Sequence, residues 1–90
     1  MDLEHEQGRG FRVEMAGHRG VLDYRLEDGR MRITHTLVDA GLRGRGVAAD
    51  LVRAAFEYAR ANGLQVLPQC EYARAWAERH PEYADITVAG

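Results

Sequence analysis

Residues 40–51 read AGLRGRGVAADL. Three glycines (Gly41, Gly44, Gly46) and two arginines (Arg43, Arg45) crowd ahead of an apolar pattern at helical spacing. The first N–H groups of a helix have no intrahelical acceptor, and the helix dipole makes that end electropositive. Glycine lets an anion's oxygens approach those N–H groups without meeting a Cβ. The stretch therefore has the chemistry of a phosphate cradle, with Arg43 and Arg45 adding charge. The competing reading is a tight turn with solvated arginines. A P-loop is excluded, because that motif needs a lysine and the sequence has none. Gly44, Gly46 and Ala49 satisfy G-x-G-x-x-A, with Glu71 where a ribose-binding acid belongs. A dinucleotide fold, however, wants parallel strands around the loop, and hairpins precede this one. Residues 43–48 also fit R-x-x-G-x-A, a match to the pyrophosphate of coenzyme A.

Two further residues could do chemistry. Cys70, the one cysteine, ends a short apolar run just before a second helical pattern. A lone cysteine is commonly a small buried hydrophobe, whereas a thiol between a strand end and a helix can take an acyl group or give a proton. His35 falls on an apolar face. It reads either as a core histidine held by hydrogen bonds or as a general base. His18 sits in an expected turn, and His80 precedes Pro81 as a helix-end contact.

The elements that must position these residues follow from patterning. Phe11, Val13 and Met15 alternate with charged residues, as do Leu22, Tyr24 and Leu26. Met31, Ile33, His35 and Leu37 alternate with Arg32, Thr34 and Thr36. Alternation of this kind marks half-buried strands. Asp28-Gly29 is a favoured two-residue hairpin turn; it pairs Leu26 with Met31, Tyr24 with Ile33 and Leu22 with His35. A first turn at Gly17-His18 pairs Val13 with Leu22 and Phe11 with Tyr24. Arg12, Arg25 and Arg32 then share the polar face with Glu14, Asp23 and Glu27, an arrangement for cross-strand ion pairs. Val47, Ala48, Leu51, Val52, Ala55, Phe56 and Ala59 recur at helical spacing, and Asn62-Gly63 ends that helix. LQVLP reads as a strand parallel to the third run, since a helix connects them. A second helix is expected over 71–80, with Tyr72, Ala73, Trp76 and Ala77 buried and Pro81 as its stop. The rest reads as a partly ordered tail. The fold class is mixed α+β: an antiparallel three-stranded meander, a helix, a parallel strand and a C-terminal helix.

Composition bounds the function classes. At 90 residues, 46% hydrophobic and 29% charged, this is an ordinary soluble globular domain. We place the domain over 10–88 and a flexible tail over 1–9. A net charge of −2 argues against a dedicated nucleic-acid binder. No apolar run approaches the ~20 residues of a membrane span. The charged start MDLEHEQGRG is not a secretory signal, and a lone cysteine cannot form an internal disulfide, so cytoplasm is the expected compartment.

The alternating strands, THTLVD, GLRGRGVAADLVRAAFEYAR, VLPQC and HPEY together resemble the GNAT superfamily of N-acetyltransferases, and more narrowly its short YjdJ-type members. The likeness runs over residues 11–86. It implies acetyl-CoA as cofactor and no metal. The pyrophosphate would lie on Arg43, Gly44, Arg45, Gly46, Val47 and Ala48, with the pantetheine arm along Leu37 and Val38. Cys70 would lie close to the gap where the third and fourth strands part, and would take part in acetyl transfer, with His35 as candidate base. The partners implied are the small-molecule acyl donor and a primary amine, on a protein or peptide among others, with the chain a monomer or weak dimer. The alternative is a non-catalytic acyl-CoA-binding or regulatory module.

Overall fold

A computed structural model describes residues 2–88. Five strands form one sheet in sequence order: β1 (Leu3–Glu6), β2 (Gly10–Met15), β3 (His18–Glu27), β4 (Arg30–Val38) and β5 (Gln65–Pro68). The first four make an antiparallel meander, and β5 adds parallel to β4 through the crossover helix α1 (Val47–Ala61). Helix α2 (Glu71–Glu78) and a 3-10 segment (Pro81–Ile86) complete the chain.

The hairpin at Asp28-Gly29 forms as expected, with both residues at positive φ (49° and 76°) and Leu26 opposite Met31. The first hairpin turns one residue earlier than expected, at Ala16-Gly17, so Phe11 faces Leu22 and Val13 faces Gly20. Moving the turn by one residue moves each pairing by two. Because side chains alternate with period two, Phe11 and Val13 stay on the core face.

Residues 3–6 correct the expectation of a flexible tail: they pair with β2 as strand β1. What holds them is an aromatic nest. His5 stacks on Phe11 at 4.1 Å and meets Tyr58 edge-on, and its Nε2 lies 2.6 Å from the Tyr24 hydroxyl. The Gly8 N–H donates to the same hydroxyl. Desolvation pushes the His5 pKa below 6.5, and it pushes the Tyr24 phenol up. The neutral imidazole is the form this nest accepts.

A bulge overturns the expected pairing of Leu22 with His35: Leu22 faces Thr36 instead. Tyr24 pairs with Ile33 but Asp23 pairs with His35, which leaves Thr34 as an extra residue on β4. The extra residue reverses the facing of everything after it. Met31 and Ile33 are fully buried, but Thr36 and Val38, not His35 and Leu37, take the core side beyond the bulge.

Helix α1 buries Val47, Leu51, Val52, Ala55, Phe56 and Ala59 against the sheet, as its spacing demands. Fully burying a side chain such as Leu51 or Phe56 contributes on the order of 1.5–3 kcal/mol. Gly20 lets the helix seat closely, since a Cβ there would lie 2.9 Å from Val47 Cγ1. Asn62 and Gly63 (φ 69°) end the helix, with Leu64 N–H donating to the Ala59 carbonyl. On α2, Ala73 and Trp76 are buried, and Trp76 packs on Phe56. Tyr72, expected on the buried side, is exposed. The expected tail is instead a 3-10 segment whose Tyr83 is buried, with its hydroxyl on the Glu57 carboxylate. Arg60 forks onto Asp85 at 3.0 and 2.9 Å and onto the Glu82 carbonyl.

Candidate functional site

The site starts where β4 and β5 part. Their ladder runs from Arg30–Gln65 to Ile33–Pro68 and stops there. The Ile33 carbonyl accepts both the Gln69 N–H (3.0 Å) and the Cys70 N–H (3.2 Å), after which the chain turns away into α2. Pro68 has no N–H to give a ladder, and the bulge bends β4 at the same level. From Thr34 onward, β4 has no partner on that side among the described residues.

Alternation decides which main-chain groups face the gap. Asp39 N–H donates to the Arg19 carbonyl at 2.8 Å, and Leu37 pairs with Val21, so the odd-numbered residues point at β3. The N–H and C=O groups of Thr36 and Val38 therefore point into the gap. Of the two β4 residues expected to bind the cofactor arm, Val38 opens its backbone to the gap. Leu37 gives its backbone to β3 and its side chain, 69% exposed, to solvent.

The amide cradle follows directly. After β4 come a 3-10 turn (Ala40–Leu42), Arg43, and the glycines Gly44 (φ 80°) and Gly46 (φ 72°), the latter capping α1. Arg45 N–H is used by the Leu42 carbonyl and Asp50 N–H by the Gly46 carbonyl. The N–H groups of Gly44, Gly46, Val47, Ala48 and Ala49 have no backbone acceptor among the described residues, and no side chain caps the helix. A Cβ built on Gly44 or Gly46 would project into open space, so the surface above these amides is clear. Arg43 and Arg45 are exposed and form no ion pair among the described residues. Val47 meanwhile buries its side chain against Gly20, which anchors the cradle to the sheet.

Cys70 is the N-cap of α2. Its sulfur accepts the Ala73 N–H at 3.4 Å and shares a hydrogen bond with Thr36 Oγ1 at 3.3 Å across the gap. Thr36 was not legible as a site residue, since only the bulge turns it inward. His35 goes the other way. It was expected on the apolar face beside Leu22, but it is exposed on the opposite face, with Nδ1 3.3 Å from Thr34 Oγ1. There it borders a groove of about 870 Å³ on the open sheet face. Cys70 and His35 thus flank β4 from its two sides and do not meet. His80 is a helix-end contact, its Nδ1 2.7 Å from the Trp76 carbonyl and its ring stacked on Trp76.

A bulged strand parting from its parallel neighbour, with a glycine-rich helix N-terminus at the end of the opening, defines an acyltransferase-type fold. The chain belongs to the GCN5-related N-acetyltransferase family, whose family model matches residues 10–86. It is similar to the solution structure of a GCN5-like protein from Staphylococcus aureus. That likeness has a TM-score of 0.79 and 25% identity, and covers 99% of this chain and 89% of the other.

Proposed function

We propose that the protein transfers an acetyl group from acetyl-CoA to a primary amine. The observation that carries this reading is the unpaired edge of β4 beyond Ile33, which leads from the Cys70 sulfur to the amide cradle at residues 44–49. The cradle fits a diphosphate: it offers five N–H donors, two exposed guanidiniums and no Cβ over the glycines. The Thr36 and Val38 backbones fit an amide-bearing arm laid beside them as an added strand. Acetyl-CoA supplies, when bound, a thioester carbon open to attack by an amine.

The chain's own groups then have separate tasks. Arg43 and Arg45 hold the phosphates. The Val38 N–H faces the gap and stabilises negative charge on the acyl oxygen. Cys70, held by Thr36 and Ala73, would either give its proton to the departing coenzyme A thiolate, or give up that proton to the same thiolate while taking the acetyl group on its own sulfur and then passing it to the amine. His35, on the open face of the sheet across β4 from Cys70, would take the ammonium proton at Nε2 while Nδ1 stays on Thr34.

The test is release of free thiol from acetyl-CoA in the presence of candidate amines, alongside intact-mass measurement of the protein. Amine-dependent release that disappears in both Arg43→Glu and Cys70→Ala supports the enzyme. An added acetyl mass on the wild type but not on Cys70→Ala assigns the covalent route. Binding of coenzyme A without release for any amine means that the chain is an acyl-CoA-binding module, and the catalytic reading falls.

A further inference from the structure

The open face of the sheet carries charges that its own ion pairs do not exhaust. The groove there is lined by four arginines (Arg9, Arg12, Arg25, Arg32) against two carboxylates (Asp23, Glu27), in a chain whose net charge is −2. Glu6 pairs with Arg12 at 3.2 Å and with Arg9 at 3.6 Å, and Glu27 pairs with Arg32 at 2.7 Å. Arg25 has no carboxylate partner among the described residues. It also sits directly opposite Arg32 across the β3–β4 ladder. Like charges placed opposite each other destabilise a sheet. The cost is greater here because Arg32 Nε is buried and without a hydrogen-bond partner. An anion entering the groove therefore meets the exposed, unpaired guanidinium of Arg25, with the positive charge of Arg32 at the opposing ladder position only partly spent on Glu27.

The other end of the groove has the opposite character. Asp23 has no ion-pair partner among the described residues, and its ladder partner is His35. Asp23 lies two residues along β3 from Arg25, roughly 7 Å at strand rise. This end is also at the bulge, where the β4–β5 gap begins on the other side of the strand.

We infer that this groove binds the acceptor, and that the acceptor is a small primary amine carrying a carboxylate or phosphate-type group a few bonds away. The anionic end sits between Arg25 and Arg32, and the ammonium faces Asp23 and His35 at the bulge. The transfer half of this inference rests on the acetyltransferase reading, while the binding half does not.

Four amines of matched length test it: 4-aminobutyrate, 3-aminopropylphosphonate, butylamine and 1,4-diaminobutane. In the first arm, the isotope-labelled full chain is titrated by NMR without any acyl donor. The two anionic amines are expected to shift the Asp23, Arg25, Arg32 and His35 amides, with butylamine and diaminobutane leaving them in place. Shifts confined to residues 43–49 mean that the anion has only found the other cradle, and the inference is overturned. In the second arm, kcat/KM for thiol release is expected to be at least about tenfold higher with an anionic amine than with butylamine, the worth of one charge-assisted contact. Whichever of the carboxylate or phosphonate leads identifies the anion class. Arg25→Gln should abolish this preference and leave coenzyme A affinity intact, and Arg25→Lys should restore part of it. A structural role for Arg25 predicts only a more stable Arg25→Gln protein with the preference kept. Equal rates for all four amines sink the groove assignment and leave the acetyltransferase intact. Groove shifts without any thiol release sink the acetyltransferase and leave the groove site.

Discussion

Alanine at Gly46 separates what this residue does for the backbone from what it does for a ligand. Gly46 caps α1 at φ 72°, ψ 15°, the left-handed region, and a Cβ there meets nothing within 4 Å. Strain alone therefore sets the stability cost. An L-residue in that region costs roughly 1–2 kcal/mol, offset by the ~0.4–1 kcal/mol gained from restricting the unfolded chain. The net loss is of order 1 kcal/mol, or roughly 4–8 °C in Tm for a domain of this size. Gly63, at the other end of α1, has φ 69° and equally open space, which makes Gly63→Ala a matched control for strain. Both variants should lose comparable stability in thermal melts followed by circular dichroism. Only Gly46→Ala should weaken coenzyme A binding in calorimetry, by about tenfold or more, because its methyl group occupies the space over the cradle amides. Equal coenzyme A affinity in the two variants, at equal loss of Tm, would show that phosphates do not approach this helix end, and the functional assignment would lose its footing.

Thr36→Val keeps the shape at the gap but removes the hydroxyl beside Cys70. It should lower amine-dependent thiol release and shift the pH-rate profile, with coenzyme A affinity unchanged; an unmoved profile refutes a role in holding the thiol. The His5 nest makes stability pH-dependent. The pKa of His5 is lowered from 6.5 in the fold, so its contribution is complete above about pH 6.5 and is lost as pH falls through its folded pKa, where the unfolded chain takes up the proton first. The Tm difference between pH 7.5 and pH 5 should shrink in His5→Phe, and an unchanged difference rules out the nest as its source. Phe56→Ala, at a fully buried position touching Trp76 and Tyr83, should cost about 3–5 kcal/mol. Urea denaturation measures that cost, and a loss below about 1 kcal/mol would mean that Phe56 is not central to the packing.

Local signals carried a large part of this protein. The Asp28-Gly29 turn, the apolar stripe of α1, its Asn62-Gly63 stop and the parallel placement of β5 all depend on residues close in sequence, and all were legible there. The glycine loop was legible for the same reason, since positive-φ glycines ahead of a helix make an amide-rich end whatever surrounds them. Three features depended on tertiary structure. Strand β1 exists because His5 finds Phe11, Tyr24 and Tyr58, partners no local pattern announces. The first turn slid by one residue without penalty, because parity keeps the faces and hydrophobic alternation cannot distinguish the two pairings. The bulge at Thr34 was the decisive case. One inserted residue moved Thr36 to Cys70 and sent His35 to the opposite face. An alternating sequence reads the same with or without a bulge, and only the pairing of β4 with β3 in the folded sheet fixes where the extra residue falls.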